Sequence, residues 1–335
     1  MRWLLPAGLT GLLVWLSWQP PEAFLSWWTE SFWPAWQPAV LTLQKAVVFP
    51  LAAVVLPLMV IAVTALPLWL WWRTRRFRNF VFTFVTAAAL AGLVLQIGWG
   101  FNYSRPGVAR QLALDRGGTR AERQALAEYL LGVLHETAAA DTEPADALLS
   151  ARLELGELLE PLGYRVLPGP LPWRVPAGSF LFFGVAGSVF PPTVEAFTDA
   201  ALPDWQQVAV GIHELAHVAG VAREDDATLL GALAGLRSTQ PFARYSLALH
   251  TLAAIELPVQ ERLAYLRQLP ERAASDLSAA LGRARQHESR MFSRAQERAL
   301  NTWLKLQKRP EGTAEYSLGV SRLPLALENG LLPPL

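Results

Sequence analysis

Residues 202–237 read LPDWQQVAVGIHELAHVAGVAREDDATLLGALAGLR and predict two helices joined by a tight turn. Pro203 suits a first helical turn, and apolar residues recur at helical spacing until Gly220, a residue type that commonly follows a helix end. The three acids at residues 224–226 favour the N-terminus of a second helix, which we expect to run through Leu236.

The first of these helices carries the HExxH motif His213-Glu214-Leu215-Ala216-His217. Residues four apart stand on one face of a helix, so both imidazoles can reach one Zn²⁺ ion while Glu214 lies beside the open coordination position. Catalytic zinc takes three protein ligands and a water molecule, and it lowers the pKa of that water toward neutrality. We expect Glu214 to accept the water's proton and to deliver it to a leaving amine.

The third ligand has to come from the acidic residues after the turn or from farther along the chain. The pattern HExxHxxGxxH would place a third histidine where this chain has Arg223, which cannot bind zinc. We predict Glu224, one residue later, as the third ligand, with Asp226 and then Asp225 as substitutes. These acids have an alternative role in helix capping, which needs no metal. His250 is a further candidate ligand, although a lone histidine is more often a packing or surface residue.

A donor for the oxyanion of a tetrahedral intermediate is expected after the second helix. Tyr245 follows that helix closely enough to return to the site, and Arg244 is an equivalent possibility. A buried tyrosine more commonly bonds to backbone. Tyr245 is nevertheless predicted as a catalytic residue beside Glu214.

The first hundred residues are far more apolar than the rest. Residues 3–21, 46–72 and 79–104 contain no charged side chain. Because about 20 apolar residues cross the hydrocarbon core, we predict a membrane anchor over residues 1–104 with three transmembrane helices, at about 3–21, 46–72 and 80–100. The first could instead be a cleaved signal peptide, but no small-residue cleavage site follows it.

The arginines predict the orientation of these helices. The loop after the second span carries Arg73, Arg75, Arg76 and Arg78, and positive loops stay in the cytoplasm. Residues 105–335 are then an extracytoplasmic domain of a multi-pass protein in the inner (plasma) membrane. The net charge of +1 offers no basic patch for nucleic acid, so the expected partners are the lipid bilayer and a polypeptide substrate.

The domain after the anchor is predicted to be mostly helical. Apolar spacing favours helices at residues 121–134 and 145–159, with Thr119 as one cap and Asp141 or Thr142 as the other. A Pro/Gly-rich segment then leads to residues 179–183, SFLFF, which we interpret as a short buried or edge strand.

These residues together resemble an uncharacterised family of bacterial membrane proteins, catalogued as a domain of unknown function, in which membrane spans precede an HELAH motif. The points of match are Gly187-Ser188-Val189-Phe190-Pro191-Pro192-Thr193, Glu195-Ala196, His213 to His217, Gly220, Glu224-Asp225-Asp226-Ala227, Phe242 and Tyr245-Ser246. Weaker matches are Asn102-Tyr103 with Arg105-Pro106, and Tyr316-Ser317. The resemblance covers most of the chain.

The resemblance implies a zinc-dependent membrane peptidase of the gluzincin type, in which a Glu from a following helix completes the site. The run from Glu224 to Ala227 looks like the corresponding segment of larger membrane gluzincins, which favours Glu224 over Asp226 as ligand. Thr228 stands where Asn or Asp is usual, and Pro192 where an aromatic residue is usual. The implied fold is mainly α: N-terminal transmembrane helices followed by a mostly helical α+β zincin-like globular domain with a small β element.

Residues 185–190 form a candidate edge strand beside the motif helix. An extended peptide could add to such an edge by β-augmentation. The apolar run and the family match together favour this hypothesis.

Three functions remain open at this point. The leading one is a membrane-anchored zinc metallopeptidase that hydrolyses extracytoplasmic or membrane-associated proteins. An intramembrane protease is disfavoured because charges at Asp204 and at residues 223–226 leave under about 20 uncharged residues around the motif. A non-catalytic membrane scaffold with a structural zinc would require a closed site of four ligands.

Overall fold

The computed structural model describes residues 4–18, 20–141 and 143–335. Over these residues the chain is mainly helical with one small sheet, which confirms the coarse fold class. It divides into two compact units. Met1–Arg105 and Phe190–Glu195 form the N-terminal unit, and Pro106–Val189 and Ala196–Leu335 form the C-terminal unit.

The N-terminal unit contains two segments that are long and apolar enough to span a membrane, Ala52–Thr74 and Phe77–Gly98. They coincide with the second and third predicted spans. The α-helices of this unit are α1 (Leu4–Trp18), α2 (Glu22–Trp27), α3 (Trp33–Lys45), α4 (Ala52–Val60), α5 (Leu66–Thr74) and α6 (Phe77–Gly98). Single π-helical turns, Trp28–Phe32 and Ile61–Ala65, connect α2 to α3 and α4 to α5, and a 3-10 turn, Gly100–Ser104, follows α6.

The first predicted span differs from the other two. Its described part consists of α1, which has 15 residues, and of Pro20 and Pro21, which are not helical, whereas a spanning helix takes about 20 residues. Trp3 and Gln19, which flank α1, lie outside the described residues. The three-span arrangement and its orientation therefore stay predictions.

An aromatic cluster orders the tryptophan-rich segment between α1 and α4. The buried indole of Trp28 donates its N–H to the carbonyl oxygen of Ile97 at 2.7 Å. Its ring stacks on Trp33 with 5.5 Å between ring centroids and meets Phe101 edge-on at 5.8 Å. These contacts bury large aromatic area and satisfy the one polar atom of Trp28.

A buried carboxylate caps the N-terminus of α4. Glu195 accepts the backbone N–H groups of Leu51 and Ala52, each at 2.7 Å, and the hydroxyl of Thr193 at 2.7 Å. A carboxylate is favourable where unpaired N–H groups and the helix dipole present positive charge. The cap gives Thr193 and Glu195, both points of the family match, a structural role, and it explains why the helix begins at Ala52 and not at the predicted residue 46.

The C-terminal unit surrounds the motif helix with other helices. Its α-helices are α7 (Val108–Gln111), α8 (Arg120–Thr137), α9 (Pro144–Leu159), α10 (Asp204–Val218), α11 (Glu224–Arg237), α12 (Pro241–Ala254), α13 (Val259–Leu266), α14 (Glu271–His287), α15 (Arg290–Leu306) and α16 (Glu315–Glu328). Short 3-10 turns cover Glu160–Leu162, Leu181–Phe183 and Gly312–Ala314. The predicted helices at 121–134, 145–159 and in the motif region are all present.

The caps of α8 and α9 follow the prediction in part. The hydroxyl of Thr119 accepts the backbone N–H of Glu122, whose carboxylate accepts the N–H of Thr119 in return, so α8 begins with a capping box. The N-cap of α9 is Glu143. Asp141 is therefore not the cap, and Thr142 lies outside the described residues.

A three-stranded sheet supplies the small β element. Its strands are β1 (Trp173–Val175), β2 (Gly187–Phe190) and β3 (Glu195–Asp199), in the spatial order β1-β3-β2. β1 runs parallel to β3, with Trp173 opposite Phe197. β2 is therefore an outer strand, and the expectation of an edge strand within residues 185–190 is confirmed.

The strand predicted at residues 179–183 is wrong, because this segment forms the 3-10 turn Leu181–Phe183. The cause is the buried carboxylate of Asp199. It accepts four backbone N–H groups at 2.8 to 3.0 Å, those of Gly178, Phe180, Leu181 and Ala201. Donors that converge on one carboxylate cannot pair with a neighbouring strand, so the chain turns.

Replacing Asp199 with Ala should lower the free energy of unfolding by about 3 kcal/mol or more, since hydrogen bonds to a charged group contribute about 1.5–3 kcal/mol each. Burial by itself raises the pKa of Asp199, but the N–H donors outweigh it and lower the pKa below the ordinary 3.8. The contribution is therefore fully present above pH 3.8 and is lost as the pH falls through the lower folded-state pKa.

Chemical denaturation at neutral and acidic pH measures this loss. The matched control is Asp204→Ala, which removes an exposed acid at the start of α10 and should cost less than about 1 kcal/mol. Equal stability of wild type and Asp199→Ala at neutral pH would contradict the role of this carboxylate.

Candidate metal centre

The motif helix α10 lies in the middle of the C-terminal unit. It packs against α9, α11 and α12, and Ile212 and Ala216 on its inner side are completely buried. Gly220 follows the end of α10 and has a φ of +98°, a left-handed conformation that a Cβ disfavours. The turn reverses the chain so that α11 begins beside the motif.

Two imidazoles and one carboxylate converge at this hairpin. The Nε2 atoms of His213 and His217 are 3.1 Å apart, and the Oε2 atom of Glu224 lies 3.3 Å from each. The two rings meet edge to face at 85° with 4.8 Å between centroids. Among the described residues, these three form the group of His, Cys, Asp and Glu side chains close enough to hold a metal ion.

The chemistry and spacing of these donors fit a divalent zinc ion. Zinc takes imidazole nitrogen and carboxylate oxygen at about 2.0–2.1 Å in a tetrahedral arrangement, which places two ligand atoms about 3.4 Å apart. The separations of 3.1 and 3.3 Å lie close to that value. Two His and one carboxylate also suit other divalent transition metals.

Hydrogen bonds behind the rings orient both imidazoles. Nδ1 of His217 lies 2.6 Å from the carbonyl oxygen of Val221. A carbonyl can only accept, so Nδ1 carries a proton and Nε2 is the nitrogen that faces Glu224. Nδ1 of His213 is 3.4 Å from the hydroxyl of Thr228. Thr228, which stands where the sequence resemblance leads us to expect Asn or Asp, thus contacts the His213 ring at Nδ1.

The three side chains are strongly coupled in charge. Burial lowers the pKa of His217, but the Glu224 carboxylate more than reverses this and raises it to about 9. Burial raises the pKa of Glu224, whereas the two histidines hold it well below its ordinary value. A metal ion bound here would replace the proton that this carboxylate now stabilises on His217.

Glu214 is buried and lies next in sequence to His213, but it is not one of the three side chains that converge. Its Oε2 atom has no hydrogen-bond partner within the described structure. Gly187 of β2 packs against the same side chain: a Cβ at residue 187 would lie 2.8 Å from Oε1 of Glu214 and 2.9 Å from the carbonyl oxygen of Phe197. Only glycine allows strand and carboxylate to approach so closely. A buried carboxylate with an unpaired oxygen is therefore held next to the outer strand β2.

The two substitute ligands, Asp225 and Asp226, face other partners. Asp225 is ion-paired with Arg223 at 3.2 Å and with Arg322 at 2.7 Å. Asp226 accepts the backbone N–H groups of Val108 and Ala109, at 2.9 and 3.0 Å. Of the three acids, only Glu224 reaches the histidines.

Tyr245, the predicted oxyanion donor, has a different set of neighbours. Its hydroxyl donates to Asp276 at 2.6 Å, and burial followed by this carboxylate raises its pKa well above the ordinary value. Its ring stacks on Phe242 in the core. Arg244, the alternative, pairs with Glu136 at 2.9 Å. Both predicted donors therefore have structural partners. Neither of them is brought to the cluster of two histidines and Glu224.

His250 lies on α12 and is half-buried. Burial, reinforced by the positive charge of His213, lowers its pKa to about 4. It is thus a neutral imidazole under ordinary conditions. It is not one of the three side chains that converge.

A different tyrosine, Tyr316 of α16, lies against one of the two histidines. The ring of Tyr316 on α16 stacks on His213 at 19°, with 6.1 Å between centroids. Tyr316 is 40% exposed. The one signal for this residue in the sequence is the weak family match at Tyr316-Ser317.

Buried ion pairs hold α16 against the start of α11. Arg322 of α16 and Arg309 before it both lie within ion-pair distance of Asp225, at 2.7 and 3.8 Å. Arg309 also pairs with Glu315, the first residue of α16. Because Asp225 is the neighbour of Glu224, the network that positions Tyr316 is attached directly to the predicted metal ligand.

Comparison with known proteins identifies one family. The sequence matches the family described as Protein of unknown function (DUF3810) over residues 28–323. No curated protein and no solved structure matches the chain. The family match extends from the tryptophan-rich segment through the HExxH hairpin and into α16. Because it spans most of the sequence, the protein belongs to the DUF3810 family.

Proposed function

We propose that this protein is a membrane-anchored zinc metallopeptidase that hydrolyses peptide bonds of extracytoplasmic or membrane-associated proteins. The convergence of His213, His217 and Glu224 on one point, with Glu214 beside it, carries the proposal. The three side chains would hold the ion, as in peptidases of the gluzincin type that the sequence resembles. A zinc ion bound by such donors supplies Lewis acidity, which brings the pKa of water toward neutrality.

Glu214 is the general base in this proposal. Its buried, unpartnered Oε2 accepts a proton from water as the water oxygen bonds to the scissile carbonyl carbon. The same proton then passes to the leaving nitrogen as the carbon–nitrogen bond breaks. The Tyr316 hydroxyl replaces Tyr245 as the proposed donor to the carbonyl oxygen, because its ring lies against His213.

A polypeptide is the proposed substrate because β2 is an outer strand beside the base. Gly187 abuts Glu214, and the outer edge of β2 offers backbone groups for pairing. An extended peptide that pairs there would have its main chain aligned next to the proposed base. Backbone pairing recognises any extended peptide, and side-chain pockets would then set its preference.

The proposed location rests on the two helices of the N-terminal unit that are long and apolar enough to span a membrane. With the arginine-rich loop between them in the cytoplasm, the following unit would face the extracytoplasmic side. The overall arrangement would be zincin-like, with the metal ligands on a helical hairpin.

The two other functions fit these observations less well. A structural zinc site is closed by four protein ligands, whereas three converge among the described residues. An intramembrane protease would carry HExxH in a spanning helix, but α10 has 15 residues and packs among helices of the C-terminal unit.

Metal analysis of the purified full-length protein should distinguish the proposed metal ligands from the proposed base. We expect roughly one zinc ion per chain in wild type and in Glu214→Gln, and little in His217→Ala, because only the last removes a ligand. Peptide cleavage is measured by proteomics of envelope proteins. It should be lower in Glu214→Gln than in wild type by a factor on the order of 10²–10⁴. Full activity in Glu214→Gln, or full zinc in His217→Ala, would refute the proposal.

Tyr316→Phe should reduce turnover of a quenched-fluorescent peptide library by about 10²–10³-fold, the usual effect of losing an oxyanion donor. Zinc content should not change, because the phenyl ring still stacks on His213. The matched control is Tyr245→Phe, which loses the bond to Asp276 and should lower thermal stability more than turnover. The opposite pattern would assign the catalytic role to Tyr245.

Val189→Pro should abolish peptide cleavage and leave zinc bound, because proline removes a backbone N–H from the edge strand without touching the metal ligands. Val189→Ala keeps the N–H and serves as the control for the lost side chain. Unchanged turnover in Val189→Pro would end the β-augmentation hypothesis.

A further inference from the structure

Helix α15 (Arg290–Leu306) exposes an apolar row to solvent. The row consists of Met291, Ala295, Ala299, Trp303 and Leu306, all exposed and spaced four, four, four and three residues apart. Met291 is 68% exposed and Leu306 53%, whereas Leu304 on the side that faces the protein is fully buried. Anchoring of the helix to its own unit therefore does not explain this row.

Aromatic rings extend the apolar row beyond the helix. Phe292, next to Met291, contacts Phe182 with 5.0 Å between ring centroids and Phe183 at 5.9 Å. All three rings remain partly exposed. The apolar row and this cluster form one continuous surface that includes the 3-10 turn Leu181–Phe183. An apolar surface of this kind on a monomer usually marks an interaction site.

Basic residues line the side of α15 next to the apolar row. Successive helical residues are about 100° apart, which places Arg294, Arg298 and Lys305 in one band that borders Met291. These three and Arg290 are exposed, and Glu297 is the one acid of the helix. The helix therefore combines an apolar face with an adjoining cationic band.

We propose that α15 is an interfacial helix that lies on the surface of an anionic phospholipid bilayer. Met291, Phe292 and Trp303 would enter the boundary below the headgroups, while the arginines reach the phosphates. Indole rings favour this boundary, and cationic side chains gain from anionic lipid. The two possible spanning helices of the same chain would keep α15 close to such a surface.

A second copy of the chain fits the same surface less well. In a symmetric contact through the apolar row, the cationic band of one copy would lie near that of its partner, because a two-fold interface pairs each patch with itself. Like charges brought together in this way repel each other. Anionic lipid has the complementary charge.

The absence of cysteine makes a direct test possible. Met291→Cys and, as a matched control at an exposed residue about 120° away from Met291 around the same helix, Glu297→Cys would be introduced into the full-length protein and labelled with an environment-sensitive fluorophore. Both proteins would be reconstituted into phosphatidylcholine vesicles with and without phosphatidylglycerol. Nitroxide-labelled lipid and iodide on both sides of the bilayer serve as quenchers.

We expect lipid nitroxide to quench the label at residue 291 far more than the label at residue 297, and iodide to do the reverse. The difference should increase with phosphatidylglycerol and decrease with salt. Adding Arg294→Gln to Met291→Cys should weaken the phosphatidylglycerol-dependent part of the binding of α15 to the bilayer about fivefold. This factor is the equivalent of about 1 kcal/mol per charge near the surface.

Three results would overturn the proposal. Equal iodide access at residues 291 and 297 would show that the apolar row faces water. Protection of residue 291 from both quenchers would indicate a protein partner, such as a second copy. Failure of the full-length protein to associate with either kind of vesicle would remove the bilayer as a partner altogether.

Discussion

The shared position of one carboxylate oxygen between two imidazole nitrogens is the constraint on which the rest of the C-terminal unit depends. Oε2 of Glu224 lies 3.3 Å from Nε2 of both His213 and His217. This requires two helices that reverse within a few residues, which the left-handed Gly220 permits. It also requires both rings to be fixed from behind, and the Val221 carbonyl and Thr228 hydroxyl do so.

The acids that begin α11 show how three adjacent like charges can be buried together. Successive helical side chains point about 100° apart, so the three acids face different surroundings, although Asp225 and Asp226 both lie within ion-pair distance of Arg223. Glu224 faces the histidines, Asp225 faces arginines of α16 and the preceding loop, and Asp226 faces the backbone of α7. Each carboxylate has compensating donors, as buried charge requires. The predicted metal ligand is therefore held by elements from both ends of the C-terminal unit.

Local spacing predicted much of this site. A four-residue interval on a helix places both histidines on one face, and the length of the turn brings Glu224, not Arg223, to the third position. The sequence could not predict the direction of Tyr245, because closeness along the chain does not determine which side of a helix a residue occupies. The position of Tyr316 depends on ion pairs that form only once α16 folds against α11.

In the fold, too, local patterns were predictable from the sequence and long-range contacts were not. The second and third apolar segments were recognisable because length and lack of charge suffice to define such helices. Residues 179–183 had the composition of a strand, but the distant Asp199 takes up their backbone donors and turns the chain. Long-range polar contacts of this kind leave no periodic pattern in the sequence.

X-ray absorption at the zinc edge of the purified full-length protein reports both the bound ion and its ligands. We expect bound zinc with two imidazole ligands and light-atom scatterers at about 2.0–2.1 Å, and we expect Glu224→Ala to lower the zinc affinity while both histidines remain ligands. A wild-type protein that binds no zinc, or a wild-type spectrum without histidine scattering, would contradict the proposed metal centre.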